Sequence, residues 1–185
     1  MVTCAPSTIA AVSASAAPAQ LDLFVCPFVV IQDTREQAPW TFQGIILDKR
    51  QWVVPRKVAT VATGDYSIEG RQTSLVIERK SSSDLIGSVT AGNARFRREH
   101  ERMAEIVKAG GFACVVVEGC LAAICDELDH DHDAGRRVTS ESILGAVASW
   151  PARYHVPWFF AGDRRRAEQL AFRVLIKQWK EQAHG

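Results

Sequence analysis

The chain has 185 residues, 47% hydrophobic and 23% charged, and its 22 Lys and Arg against 21 Asp and Glu leave a formal net charge of +1. That is the composition of a globular domain long enough to bury a core, and its overall charge argues neither for nor against a nucleic-acid partner. No apolar run approaches the ~20 residues of a membrane helix, and the five cysteines, at positions 4, 26, 114, 120 and 125, match no CxxC or zinc spacing. The thiols read as reduced, in a cytoplasmic protein.

Residues 1–25 read as a disordered Ala/Ser/Pro-rich tail. Its first 22 residues contain no Lys or Arg, so it lacks the charged region of a secretory signal. Residues 26–185 read as one domain. "FVVIQD" (28–33) is an apolar strand closed by an acid, and "VVPRKVATVATGDYSI" (53–68) is a β-branched strand that Pro55 marks as an edge or a late start. "SLVIERK" (74–80) follows a short polar turn. Leu85, Val89, Phe96, Met103 and Val107 share one face of a helical stretch over 84–108, broken near Gly92-Asn93. "FACVVVEG" (112–119) is a buried strand with Cys114 in the core. "DELDHDHDAG" (126–135) reads as a polar loop, and His130 and His132 within it are left out of any site. A helix capped by Thr139 or Ser140 follows, with Pro151 near its end. "VPWFFAG" is a last strand, and a helix capped by Asp163 closes the chain. Strands alternating with helices after a leading hairpin predict an α/β fold, a mixed sheet covered on both faces.

The strand Leu75-Val76-Ile77 turns abruptly ionic at Glu78-Arg79-Lys80. In a symmetric hairpin Ile68 faces Leu75 and Asp65 faces Glu78, with Cβ atoms ~5 Å apart. Two carboxylates so close call for a cation, and oxygen ligands suit Mg²⁺. Alternation puts Glu78 and Lys80 on the face of Asp65, turns Arg79 the other way, and sends Tyr66 into the core. Asp33, closing a neighbouring apolar strand, is a third acid. Two acids holding a metal, with an ammonium to orient water, is the chemistry of phosphodiester hydrolysis. Arg95 and Arg98, just after this strand, are candidate phosphate contacts. Arg164, Arg165 and Arg166 oppose the dipole of the last helix, a weak pointer to a partner, and are not assigned to DNA.

"GDYSI", "VIERKSSSDLIGSV" and "NARFRREHERM" resemble the nuclease domain of the XPF family of structure-selective endonucleases. Gly64-Asp65, Glu78-Arg79-Lys80 and Asp84 match its GD…ERKxxxD signature, and Asp33, Arg35 and Glu36 match its first motif. The resemblance spans residues 28 to 180. It implies a restriction-endonuclease-like fold of the PD-(D/E)XK type and Mg²⁺- or Mn²⁺-dependent cleavage of branched or flapped DNA, leaving 3′-hydroxyl and 5′-phosphate ends. It implies Asp33, Asp65 and Glu78 at the metal, Lys80 as catalytic lysine, and Glu36, Arg79 and Asp84 in support, with Arg35 near the DNA. Asp84 fits equally a partner of the helix dipole. The family commonly carries a helix-hairpin-helix module after this domain, and none is present up to Gly185. The family's nuclease domains also pair with a like domain, so a homodimer or a partner subunit is implied; Trp150, Trp158, Phe159, Leu175 and Trp179 could offer that surface but read mostly as core. The rival readings are a catalytically silent DNA-binding or scaffolding subunit and a restriction-like enzyme cutting intact duplex.

Overall fold

The computed structural model describes residues 22–89, 93–130 and 138–183. A six-stranded sheet runs in the order β5-β2-β6-β7-β8-β9, from β2 (Val30–Asp33), β5 (Arg56–Ala59), β6 (Tyr66–Ile68), β7 (Leu75–Ser81), β8 (Phe112–Glu118) and β9 (Trp158–Phe160). It is mixed: β6 runs antiparallel to both β2 and β7, and the other neighbours are parallel. The expected α/β fold with a central mixed sheet is therefore present.

Alternation along β7 and β8 splits the core in two. Leu75, Ile77, Cys114 and Val116 face one layer, built with Phe172, Leu175 and Ile176 of α5 (Arg164–Ala183). Val76, Ala113, Val115 and Val117 face the other, formed by α1 (Ser82–Val89), α2 (Asn93–Lys108), α3 (Leu121–His130) and α4 (Ser140–Tyr154). Strands covered on both faces are apolar at consecutive positions, which is why β8 reads as an unbroken run. The helical face expected over 84–108 is the buried one, with Leu85, Phe96 and Met103 inside. Thr139 caps α4, and Asp163 caps α5 by accepting the N–H of Arg166 at 2.7 Å. Trp150 is buried, and Trp158, Phe159 and Trp179 are packed against the two cores.

Three expectations are corrected. Residues 22–25, assigned above to the tail, form β1 (Asp22–Val25). The strand expected over 53–68 is three strands: the end of β4 (Arg50–Val53), then β5 after Pro55, then β6 after a turn through Gly64. Pro55 does start an edge strand, but β5 joins the sheet beside β2, while β4 joins a small second sheet with β1 and β3 (Ile45–Leu47). That small sheet lies on α5, Trp52 meeting Phe172 at a ring separation of 5.6 Å. Residues 126–130, expected as loop, belong to α3, because Ile124 and Leu128 recur at helical spacing and are buried while the acids face outward. Residues 131–135 of that stretch and 1–21 of the tail lie outside the described residues.

The arginine triplet of α5 is held within the fold. Arg164 donates to the carbonyls of Ala38 and Pro39, Arg165 to those of Gln43 and Gly44, and Arg166 to Asp163. These bonds fasten the 38–44 loop to the helix, so the charges that oppose the dipole have local acceptors.

Candidate active site

The hairpin register decides the site. Tyr66 pairs with Ile77, which sets Asp65, just before β6, beside Glu78. The Asp65 N–H donates to Ile77 O at 2.8 Å, and the Arg79 N–H donates to Asp65 Oδ2 at 2.8 Å. Gly64 makes this approach possible: its φ is +76°, and a Cβ there would come within 3.1 Å of Val76 Cβ and 3.2 Å of Ile77 O. Tyr66 is fully buried and stacks on Trp40, as alternation predicts.

Glu78 Oε1 accepts from Lys80 Nζ at 2.8 Å, so the pair does share a face. The other oxygen, Glu78 Oε2, is buried and accepts from no N–H or hydroxyl among the described residues, while the Glu99 carboxyl lies in hydrogen-bonding contact with Glu78. Lys80 Nζ also lies 3.9 Å from Glu99 of α2 and 4.6 Å from the centre of the Phe96 ring. Asp65, Glu78, Lys80 and Glu99 open, with Arg35 and Arg95, onto a cleft of 620 Å³.

Burial, then the charge of Glu78, pushes the Asp65 carboxyl up to about 9. The same two causes push Glu99 up to about 8. Burial alone would lower Lys80, but Glu78 outweighs it and the net shift is upward, so the ammonium stays charged. Three carboxyls crowded enough that Asp65 and Glu99 hold protons in the absence of a counter-ion fit a hard divalent cation. Asp65 and Glu78 could hold such an ion, with Glu99 alongside.

Asp33 is held by several hydrogen bonds. It is buried, and its oxygens accept from the N–H of Arg35 (2.8 Å), from Arg35 Nε (2.7 Å) and from the N–H of Val61 (2.7 Å). Burial would raise its carboxyl, but these hydrogen bonds, Arg35 foremost, hold it below its ordinary value. Asp33 lines one pocket of 160 Å³ together with Asp65 and Glu78, although among the described residues no three His, Cys, Asp or Glu side chains stand as a ready-made metal cage. Asp33 also anchors Arg35.

Arg79 points to the opposite face, as expected, and grips Glu118 at the end of β8 through Nε (2.8 Å) and Nη2 (2.7 Å). Its Nη1 reaches Glu36 at 3.4 Å. Glu36 also accepts from the N–H of Ala38. Asp84 takes the helix-start role: its N–H donates to Ser81 Oγ, whose hydroxyl donates back to Asp84 Oδ2 at 2.7 Å, on the rim of the cleft. Arg95 lines the cleft; Arg98 is exposed and does not. Sequence reasoning missed Glu99 and Glu118. Glu99 had a signal, an acid on the apolar face between Phe96 and Met103, and Glu118 had another, an acid ending the run Val115–Val117, the same sign that marked Asp33.

The raised carboxyls give a pH prediction with a definite sign. The fold retains protons on Asp65 and Glu99 that the unfolded chain releases near pH 4, so their contribution to stability is lost as pH rises toward 8–9. Buried His100, pushed down to about 4, acts in the opposite direction but only below pH 6.5. Between pH 6.5 and 9, in chelator, Tm is expected to fall by on the order of a few °C per pH unit. Mg²⁺ should raise Tm more at pH 8.5 than at pH 6.5. A flat profile, or equal metal shifts at both ends, would contradict this electrostatic account.

A mixed sheet with helices on both faces, carrying acids and a lysine at adjacent strand ends, defines the restriction-endonuclease-like class. Within that class, the model of the ERCC4 domain matches residues 32–172, and the chain belongs to this family, as an XPF-type nuclease domain. Among solved structures it is similar to XPF from Aeropyrum pernix, at 20% identity and a TM-score of 0.55, covering 80% of this chain and 60% of that one. It is similar also to XPF from Aeropyrum pernix in complex with DNA, at 20% identity and a TM-score of 0.56, covering 83% of this chain and 66% of that one. The chain thus spans less than two thirds of either solved protein, and the likeness at this identity is one of fold. A search of curated proteins gives no match. No helix among the described residues is long and apolar enough to cross a membrane.

Proposed function

We propose that the chain is a divalent-metal-dependent DNA endonuclease that hydrolyses phosphodiester bonds in branched, flapped or junction DNA, in the service of repair, recombination or replication. The observation that carries the reading is the buried Glu78 carboxylate, crowded by Asp65 and Glu99 beside a charged Lys80 in an open cleft. Membership of the ERCC4-domain family supports the nuclease class. A solved relative in complex with DNA supports the substrate.

Asp65 and Glu78 would hold Mg²⁺, for which Mn²⁺ should substitute. When bound, the cation supplies Lewis-acid activation of water and neutralises charge on the phosphate. The chain's own groups do the rest. Arg79 fixes Asp65 through its backbone N–H, and Glu78 fixes Lys80. The Phe96 ring supports the ammonium from below, leaving it N–H donors for a water or a phosphate oxygen. Attack by water oxygen on phosphorus, with loss of the 3′ oxygen, leaves a 3′-hydroxyl and a 5′-phosphate. Arg35 and Arg95, on the cleft wall, neutralise phosphates without reading bases.

With Mg²⁺, the protein is expected to cut a labelled flap, fork or junction faster than linear duplex. Equal rates would favour a restriction-like duplex enzyme. Binding to the branched substrates with no cutting in Mg²⁺ or Mn²⁺ would favour a silent DNA-binding subunit.

A further inference from the structure

α5 buries one side, Ala167, Ala171, Phe172, Leu175 and Ile176, in the core. Successive residues of a helix turn by about 100°, so Arg166, Arg173, Lys177 and Lys180 fall together on the opposite side, and all four are exposed. At 1.5 Å per residue they form a crest about 21 Å long. No exposed acid interrupts it: Glu168, the one acid between its ends, is buried and holds Arg165. Asp163 and Glu181 stand just beyond the two ends.

The fold accounts for two of these charges and leaves two. Arg166 is paired with Asp163 at the surface. Lys180 is in the last turn, where it complements the helix dipole. That effect does not reach Arg173 and Lys177, which make no hydrogen bond or ion pair among the described residues. A merely solvated helix face mixes signs, as α2 does with Arg97, Arg98, Glu101, Glu105 and Lys108. On the other face of the sheet, α3 exposes Asp126, Glu127 and Asp129 and has no Lys or Arg. A chain of net charge +1 therefore turns its positive field outward on the α5 side.

A row of cations on a rigid support, with no aromatic ring in the row, suits a duplex backbone rather than unpaired bases, which take a ring to stack on. The first turn of α5 stands beside the cleft, because Arg164 donates to the carbonyl of Ala38, a cleft residue. Its last turns stand at the far end of the sheet, where Arg71 donates to the carbonyl of Gln178. The crest thus leads away from the cleft, on the face of the sheet opposite α2. A continuous duplex, with a persistence length of about 150 bp, resists turning from the cleft onto that face. Arms that diverge at a branch reach both surfaces without bending.

We propose that the α5 crest, centred on Arg173 and Lys177, is a docking surface for a second duplex arm of the branched DNA whose cut strand lies in the cleft. It contacts backbone phosphates and reads no bases. The assignment to an arm of the substrate rests on the nuclease reading; the choice of a polyanionic backbone rests on the crest alone. It supplies a physical source of branch preference. Both surfaces fill together only when two arms leave the junction in different directions, and engaging both raises affinity beyond either alone.

The test is anisotropy binding in Ca²⁺ by the full chain, with the exposed double variant Arg173→Gln/Lys177→Gln and a charge-reversed one, Arg173→Glu/Lys177→Glu. The probes are a labelled flap with duplex on both sides of the branch and the same DNA with one duplex arm removed. The wild type should bind the two-armed DNA at least tenfold more tightly. Each variant, with an unchanged Tm, should bind the two probes within about twofold of each other. The slope of log Kd against log salt for the two-armed DNA should be smaller by about 2 in the Gln variant, close to 0.9 for each lost phosphate contact. A wild type without arm preference, variants that keep it, or variants that lose as much affinity for the one-armed DNA as for the two-armed, overturn the second-arm surface. If the wild type cuts the flap in Mg²⁺ yet shows no arm preference, the crest falls and the nuclease reading stands. If the arm preference and its loss behave as expected but no DNA is cut in Mg²⁺ or Mn²⁺, the crest stands as a DNA surface and the nuclease reading falls.

Discussion

Glu78→Gln is expected to lower the cleavage rate by at least about 10²–10³-fold while DNA binding survives. The amide keeps the shape of the side chain, and its oxygen can still accept from Lys80, whose distance to Glu78 is 2.8 Å. What it removes is the negative charge on the buried carboxylate. The cation then loses a ligand, and Lys80 loses its nearest counter-charge. The metal-free fold should persist, because the substitution also relieves the repulsion that Glu78 exerts on Asp65 and Glu99. Single-turnover cleavage of a flap, anisotropy binding in Ca²⁺ and the Mg²⁺-induced rise in Tm together check this. A variant that cuts within a few-fold of wild type, or keeps the full metal-induced rise, would place the cation elsewhere.

Glu118→Ala is expected to destabilise the fold by about 3–5 kcal/mol, the range for breaking a buried ion pair from one side. Arg79 and Glu118 are 9% and 8% exposed in their side chains, so solvent does little to replace the lost partner. Glu118 also accepts from Trp40 Nε1 at 2.6 Å and Arg164 Nη1 at 3.0 Å. One carboxylate thus ties the site strand β7 to β8, to the loop before β3 and to the first turn of α5. Its removal leaves Arg79 with Glu36 at 3.4 Å. Urea denaturation measures the loss. The double replacement Arg79→Met with Glu118→Leu should recover part of it, because neither member of the pair is then left buried alone, while Glu36 loses its contact with Arg79. A single-variant loss below about 1 kcal/mol would mean that the pair is effectively solvated.

The chemistry-bearing strand was the most legible part of the chain. An apolar run turning ionic at Glu78, a polar turn of fixed length and the two-residue period of a strand together give the register, and Tyr66 does pair with Ile77. The same period correctly separates Arg79 from Glu78 and Lys80. The stretch 53–68 was misread because its β-branched residues are equally compatible with one strand or several. Pro55 and the turn at Gly64 divide it, and which sheet each piece joins is a long-range matter. Asp33 was legible as an acid at a strand end. Its capture by Arg35 and the N–H of Val61 was not, because the bond to Val61 spans 28 residues.

The sequence alone therefore determined the alternation of layers, the apolar faces of the helices and the pairing that sets Asp65 against Glu78. These depend on local periodicity and on the short reach of a hairpin. Only the tertiary structure decided which helix lies over the strand ends, and so brought Glu99 to Lys80 and Arg102 to Thr63. It also decided that the arginines of α5 brace a loop, and that Glu118 anchors Arg79 from the far side of the sheet. Contacts of this kind join side chains tens of residues apart, and their partners are chosen by the packing of whole elements, which no spacing within a single segment encodes.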